Sequence, residues 1–223
     1  MRLNAKTGAL LGLTAAGAAT YALAVRPWHL SWGTTPDEEQ MPLPGDDVKP
    51  DAGISVTHAV TIDAPPEEVW KWLVQIGQGR GGFFSYEALE NLMGLDVENV
   101  YEIQPDLQNL KEGDFVRSAH KGWLGGRFDD KAGWFVVDIE PNRHLVLRDE
   151  IEHGSWSFVL RPLAEGKTRF LIRARGDRPS SLLHWTLHLS VFEPAHFIME
   201  RKMMLTLKEL AENGPRRLEH AGH

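Results

Sequence analysis

Polar and apolar residues alternate along Ile54–Ile62: Ile54, Val56, His58, Val60 and Ile62 fall on one face, and Ser55, Thr57, Ala59 and Thr61 on the other. That period of two predicts a strand. It runs into IDAPPEEVW, residues 62–70, where Asp63-Ala64 stand at a helix start with Asp63 as its cap. Two prolines follow, in the first turn, whose amides have no intrahelical partner to lose. Val69, Trp70, Leu73, Val74 and Ile76 then recur at helical spacing over Glu67 to Ile76. A glycine-rich stretch, GQGRGG, leads to a second short helix from Tyr86 to Met93. Further strands are predicted at Asp114–Ser118, Gly133–Ile139, His144–Asp149, Ser155–Leu160 and Thr168–Ala174. Turn residues at Glu140–Arg143 and Ala164–Lys167 imply antiparallel hairpins. The last element is a helix with Phe192, Met199, Met203, Leu207 and Leu210 on one side and Arg201, Lys202, Lys208 and Glu212 on the other. Pro194 kinks it or marks its start.

The first 53 residues obey a different pattern. Gly8 to Val25 holds no charge, and Arg2, Lys6 and Arg26 flank it. As a helix this run rises about 27 Å, close to a bilayer's hydrocarbon thickness. Its length favours a signal-anchor helix. A cleaved signal peptide ending at Ala22-Leu23-Ala24 and a plain Ala/Gly-rich helix are the alternatives. The basic amino end and the acidic Asp37, Glu38 and Glu39 put the chain start in the cytoplasm and the folded domain outside it. Residues 27–53 read as a solvated linker, with five prolines and six acidic residues. Trp28 and Trp32 are interfacial anchors or aromatics packed on the domain. The division is 1–26 anchor, 27–53 linker, 54–213 domain and 214–223 tail.

Composition narrows this only at the edges. A net charge of −7 argues against a nucleic-acid partner. The absence of cysteine excludes disulfides, thiolate nucleophiles and cysteine-ligated metals. Eight tryptophans suit a core or a cavity wall.

The IDAPPEEVW segment, the order of strands and the terminal helix resemble the START-like, or SRPBCC, superfamily, which includes Bet v 1-like and polyketide cyclase/dehydratase-like proteins. The resemblance covers Ile54 to Asn213. It implies an α+β helix-grip fold, a curved antiparallel sheet wrapping a long C-terminal helix, with an apolar cavity between them. The fold hosts binders, transporters and enzymes, so it does not choose among them.

Candidate chemistry is sparse. Gly77, Gly79 and Gly82 match G-x-G-x-x-G, but they follow a helix instead of a strand, so they read as a loop near a cavity mouth and not as a dinucleotide site. Phe83, Phe84 and Tyr86, directly after it, are gate aromatics or core. His184 and His188 share a helix face, but Trp185 stands where a zinc motif needs Glu, and no metal or cofactor is expected. His58 is either a satisfied core histidine or a polar group in the cavity. Asp129-Asp130 and Asp149-Glu150-Glu152 are neighbours that cannot face one substrate together. Arg173 and Arg175 point from the sheet's outer surface, where charge is ordinary. Trp156, Phe158 and Leu160 point inward, with Met199 and Met203 opposite, and His58 and His196 each offer one directional hydrogen bond. Without a converging acid–base set, the reading is a membrane-anchored domain that binds a hydrophobic small molecule or lipid. The alternative is a polyketide cyclase/dehydratase-type enzyme acting on a bound ketone.

Overall fold

The computed structural model describes Gly17, residues 19–151 and residues 153–214. Most of the run Gly8 to Val25, the tail beyond Gly214 and Glu152 lie outside the described residues. Among the described residues no helix is long and apolar enough to cross a membrane. Chain order is α1 (Arg26–Leu30), α2 (Pro36–Gln40), β1 (Ile54–Ile62), α3 (Pro66–Leu73), α4 (Glu87–Leu92), β2 (Phe115–Arg117), β3 (Gly133–Glu140), β4 (His144–Asp149), β5 (Ser155–Pro162), β6 (Thr168–Gly176), α5 (Leu182–Leu187) and α6 (Glu193–Asn213).

The six strands form one antiparallel sheet in the order β1-β6-β5-β4-β3-β2. β1 and β5 both pair with β6, in registers that set Ile172 beside both His58 and Phe158. A bulge between Val136 and Asp138 in β3 adds local twist. The alternation read from the sequence sends Ile62, Trp156, Phe158, Leu160, Phe170 and Ile172 to the inner face, where Met203, Met204, Leu207 and Leu210 of α6 complete one core with Val69, Trp70 and Leu73 of α3. The architecture is helix-grip, α+β, as the resemblance implied.

Three local expectations change. The helix after β1 starts at Pro66, with Pro65 at the cap position and no side-chain cap, and it ends at Leu73. Asp63 lies too far back to cap it, and its carboxylate meets Lys167 at 3.1 Å. In the terminal helix, Pro194 sits in the first turn, preceded by a π-helical turn, His188–Phe192. That wider turn rotates Phe192 out of the stripe, leaving it 62% exposed, and Phe197 takes its place at 8%.

The third change concerns residues 27–53, which are not held in solvent by their charges. Residues 29–32 lie along the β1 edge against His58 and Phe197 on the inner side, and residues 36–51 cross the sheet's outer face as a strap. Arg173, 3% exposed, donates to the carbonyls of Glu38, Glu39 and Met41, to Asp46 Oδ2 and to Thr57 Oγ1 at 2.8–3.0 Å. Arg169 pairs with Glu38, and Arg175 donates to the Lys49 and Pro50 carbonyls. The outward arginines therefore bind backbone and acidic residues of the strap instead of water. Leu43 fills a small second core with Ala59, Val159 and Leu171. Gly45, at φ +89°, crosses so close to β4 and β5 that a Cβ there would lie 2.2 Å from Ser157 Oγ. Trp32 also packs on the domain, beside His58 and Phe197.

Candidate functional site

His58 is the first polar group of the interior. β1 carries it to the inner face, where it is 1% exposed. Its Nε2 lies 2.7 Å from the His29 carbonyl, an acceptor only, so that nitrogen carries a hydrogen and donates it. Its Nδ1 faces Glu200 Oε1 within hydrogen-bond distance. A bare nitrogen against a bare carboxylate would repel, so a second proton lies between them, and the directions of the two pKa shifts put it on His58, as imidazolium and carboxylate. Burial works against a charged His58, but the Glu200 carboxylate and the His29 carbonyl outweigh it and hold the ring above its ordinary value. Burial likewise works against an ionised Glu200, but His196, His58 and the Trp156 donor outweigh it and hold the carboxyl below its ordinary range. Trp156 Nε1 donates to Glu200 Oε2 at 2.8 Å, and His196 Nε2 approaches the same oxygen at 3.8 Å.

About two turns earlier on α6 a parallel arrangement joins α1. Glu193 accepts two hydrogen bonds from Arg26, at 2.8 and 2.9 Å, and meets His29 Nε2 at 3.1 Å. Burial, the largest influence, holds His29 below its ordinary value despite Glu193. His29 also stacks on Phe197. The segment leading into the strap is thus fastened to the start of the terminal helix.

Two adjoining cavities lie along this helix. The larger, about 970 Å³, is bounded by His29, His58, Trp156, His196 and Phe197 and by the 176–180 and 184–193 segments. The smaller, about 140 Å³, is walled by Phe83, Leu95, Trp134, Trp156, Met199 and Met203, with Ser85, Glu90, Ser118, His196 and Glu200 as its polar groups. Trp134, Trp156 and His196 line both.

Glu90 is the anomaly of the smaller cavity. It is 1% exposed, and its Oε2 has no hydrogen-bond partner among the described residues. Burial, and secondarily Glu87, pushes its pKa up to about 7. It reaches the interior because α4 is turned against its own pattern. Leu89, Leu92 and Met93 are 43–83% exposed while the glutamate faces inward.

The nine expected site residues divide. Phe83, Trp156, His196, Met199 and Met203 meet at the smaller cavity, and His58 reaches the larger one. Phe84, Phe158 and Tyr86 line neither. Phe84 is fully buried at φ +56°, its amide on Asn99 Oδ1 and its ring against Trp72 and Tyr101. Phe158 is fully buried between Trp156 and Phe170. Tyr86 is 44% exposed, with the Lys202 ammonium over its ring. The Gly77–Gly82 loop closes on itself, Gly77 N donating to Gly82 O at 2.8 Å, so its glycines serve a tight turn. Glu90, Glu193 and Glu200 were missed. For Glu200 a signal exists: Glu193, Phe197, Glu200, Met204 and Leu207 recur at spacings of four and three, so a carboxylate sits on the apolar stripe opposite a strand histidine that needs a partner.

No protein-family model matches the chain, and no curated protein does. Among solved structures it is similar to protein MLL2253 from Mesorhizobium loti, at 17% identity over 70% of this chain and 96% of that one, with a TM-score of 0.39. It is similar to the Aha1 dimer from Colwellia psychrerythraea, at 14% identity over 73% and 99%, TM-score 0.42. It is also similar to CalC from Micromonospora echinospora, described as a self-sacrificing resistance protein, at 10% identity over 73% and 97%, TM-score 0.43. At these values the likenesses carry no inference about ligand or activity.

Proposed function

We propose that the domain binds a hydrophobic small molecule between its sheet and its terminal helix. The observation that carries this reading is the smaller cavity, whose apolar walls come from five separate parts of the chain: Phe83, Leu95, Trp134 on β3, Trp156 on β5, and Met199 and Met203 on α6. Its volume is close to the roughly 150 Å³ that holds a benzene ring. The adjoining 970 Å³ space gives a longer ligand room and lies within the span of about 300–1,000 Å³ usual for small-molecule sites. Thioether side chains at the boundary can repack around different apolar shapes. Met203→Trp is expected to abolish uptake of a solvatochromic apolar dye while circular dichroism shows a folded domain. Met199→Trp, at a half-buried position, repeats the test with less strain. Undiminished dye uptake in both folded variants would place the site elsewhere.

The finer reading makes the ligand a lipid and fixes the domain to a membrane, on its extracytoplasmic side. It rests on the uncharged run Gly8 to Val25 with Arg2 and Lys6 before it. The full chain should then resist extraction by alkaline carbonate. A mature protein that begins near Val25 would favour cleavage and secretion.

One observation favours a second reading, catalysis of the polyketide cyclase or dehydratase type. The sequence offered no converging acid–base set, yet Glu90, His196 and Glu200 meet at one apolar cavity. That reading requires the protein to exchange the α-hydrogens of a bound ketone with deuterated solvent, and it fails if no exchange occurs above the rate in buffer.

A further inference from the structure

The smaller cavity buries more polar capacity than the protein itself satisfies. Its other acidic group is spoken for: both oxygens of Glu200 face donors, His58 on one side and Trp156 on the other. Ser85 is also engaged, its hydroxyl donating to the Met199 carbonyl at 3.1 Å. Glu90 differs. It sits in the cavity wall, 1% exposed, with Oε2 unpartnered among the described residues. A carboxyl in such a place is costly unless something else completes its hydrogen bonding.

We propose that Glu90 is the recognition group of the cavity, and that it donates a hydrogen bond to the carbonyl or hydroxyl oxygen of an uncharged, otherwise apolar ligand. This rests on the binding role proposed above and names the ligand class. The charged surroundings point the same way. Glu87 lies on the same helix, Glu200 approaches from α6, and Tyr101 is also within electrostatic reach of Glu90. Among the described residues His196 is the one base lining the smaller cavity, and with His58 it already faces Glu200. With Glu87 beside Glu90 and Glu200 already matched by His58, the described wall offers no free cation to a ligand carboxylate, so an uncharged ligand is favoured at this end of the site. A pKa of about 7 keeps much of Glu90 in its hydrogen-bearing form near neutrality, and that form is the one able to donate.

The test uses two probes of nearly the same shape, acetophenone, which has a carbonyl, and ethylbenzene, which lacks it. Each is titrated into the full chain while the methyl resonances of Met199 and Met203 are followed by NMR. Acetophenone is expected to bind roughly tenfold tighter, the size of one hydrogen bond made away from water. That advantage should disappear above pH 8 as Glu90 ionises, while ethylbenzene affinity stays level. Glu90→Gln, whose amide still donates, should keep the advantage and lose its pH dependence. Glu90→Leu should reduce acetophenone to the affinity of ethylbenzene. If both probes bind equally, or if Glu90→Leu leaves the preference intact, the role of Glu90 is overturned while the cavity remains a ligand site. If neither probe moves either methionine methyl, the binding reading fails, and the proposal fails with it.

Discussion

Glu200→Leu is expected to destabilise the domain by about 3–5 kcal/mol, the usual cost of removing one partner from a buried ion pair. The substitution leaves the His58 Nδ1 hydrogen and the Trp156 indole hydrogen without acceptors in the core. Glu200→Gln should behave differently. With His58 neutral and its hydrogen on Nε2, Nδ1 becomes an acceptor. The glutamine amide can donate to it, and the amide oxygen can accept from Trp156. That variant should therefore fold with a modest loss, and it should lose the pH dependence that the ion pair creates.

The sign of that dependence follows from the two shifts. His58 is held above 6.5, so its contribution is complete below pH 6.5 and disappears as pH rises through the folded value. Glu200 is held below 4.5, so its contribution is complete above pH 4.5 and disappears as pH falls through its folded value. The wild-type advantage over Glu200→Gln should be greatest between those limits. Denaturant titrations across pH 4 to 9 check this. A difference that is flat with pH would mean that the pair is not ionised in the folded protein.

What the sequence disclosed and what it hid follow one physical line. β1, β5, β6 and α6 were readable because their apolar positions recur at a fixed period, and period is a local property. The cavity walls from Trp156, Met199 and Met203 were readable for the same reason. Glu90 was not, because its helix places Leu89 and Leu92 toward solvent, and only the tertiary setting of α4 decides that inversion. The shift in the start of α3 from Glu67 to Pro66 shows a closer contest. Either proline suits a first turn, and Asp63 was taken up by Lys167 instead of by the helix end. The strap was hidden most fully. Its prolines and acidic residues match those of a solvated linker, and only the arginines of β6, more than a hundred residues later, convert that composition into a docked segment.

Arg173→Ala is accordingly expected to release the strap, at about 3–5 kcal/mol. The guanidinium holds the carbonyls of Glu38, Glu39 and Met41 together with the Asp46 carboxylate and the Thr57 hydroxyl. Its removal leaves three carbonyls and one carboxylate under-satisfied beneath a covering segment, while the small core of Leu43, Ala59, Val159 and Leu171 stays apolar. Arg173→Lys should recover little of the loss, because an ammonium has three donors and no planar fork to reach five acceptors. High salt should leave the wild-type contact largely intact, since a buried pair is weakly screened. Limited proteolysis separates local release from general loosening: cleavage should appear first within residues 36–51 in the variant, with β1 to β6 still protected. Equal resistance of that segment in wild type and variant would show that Leu43 and its apolar neighbours hold the strap without the arginine.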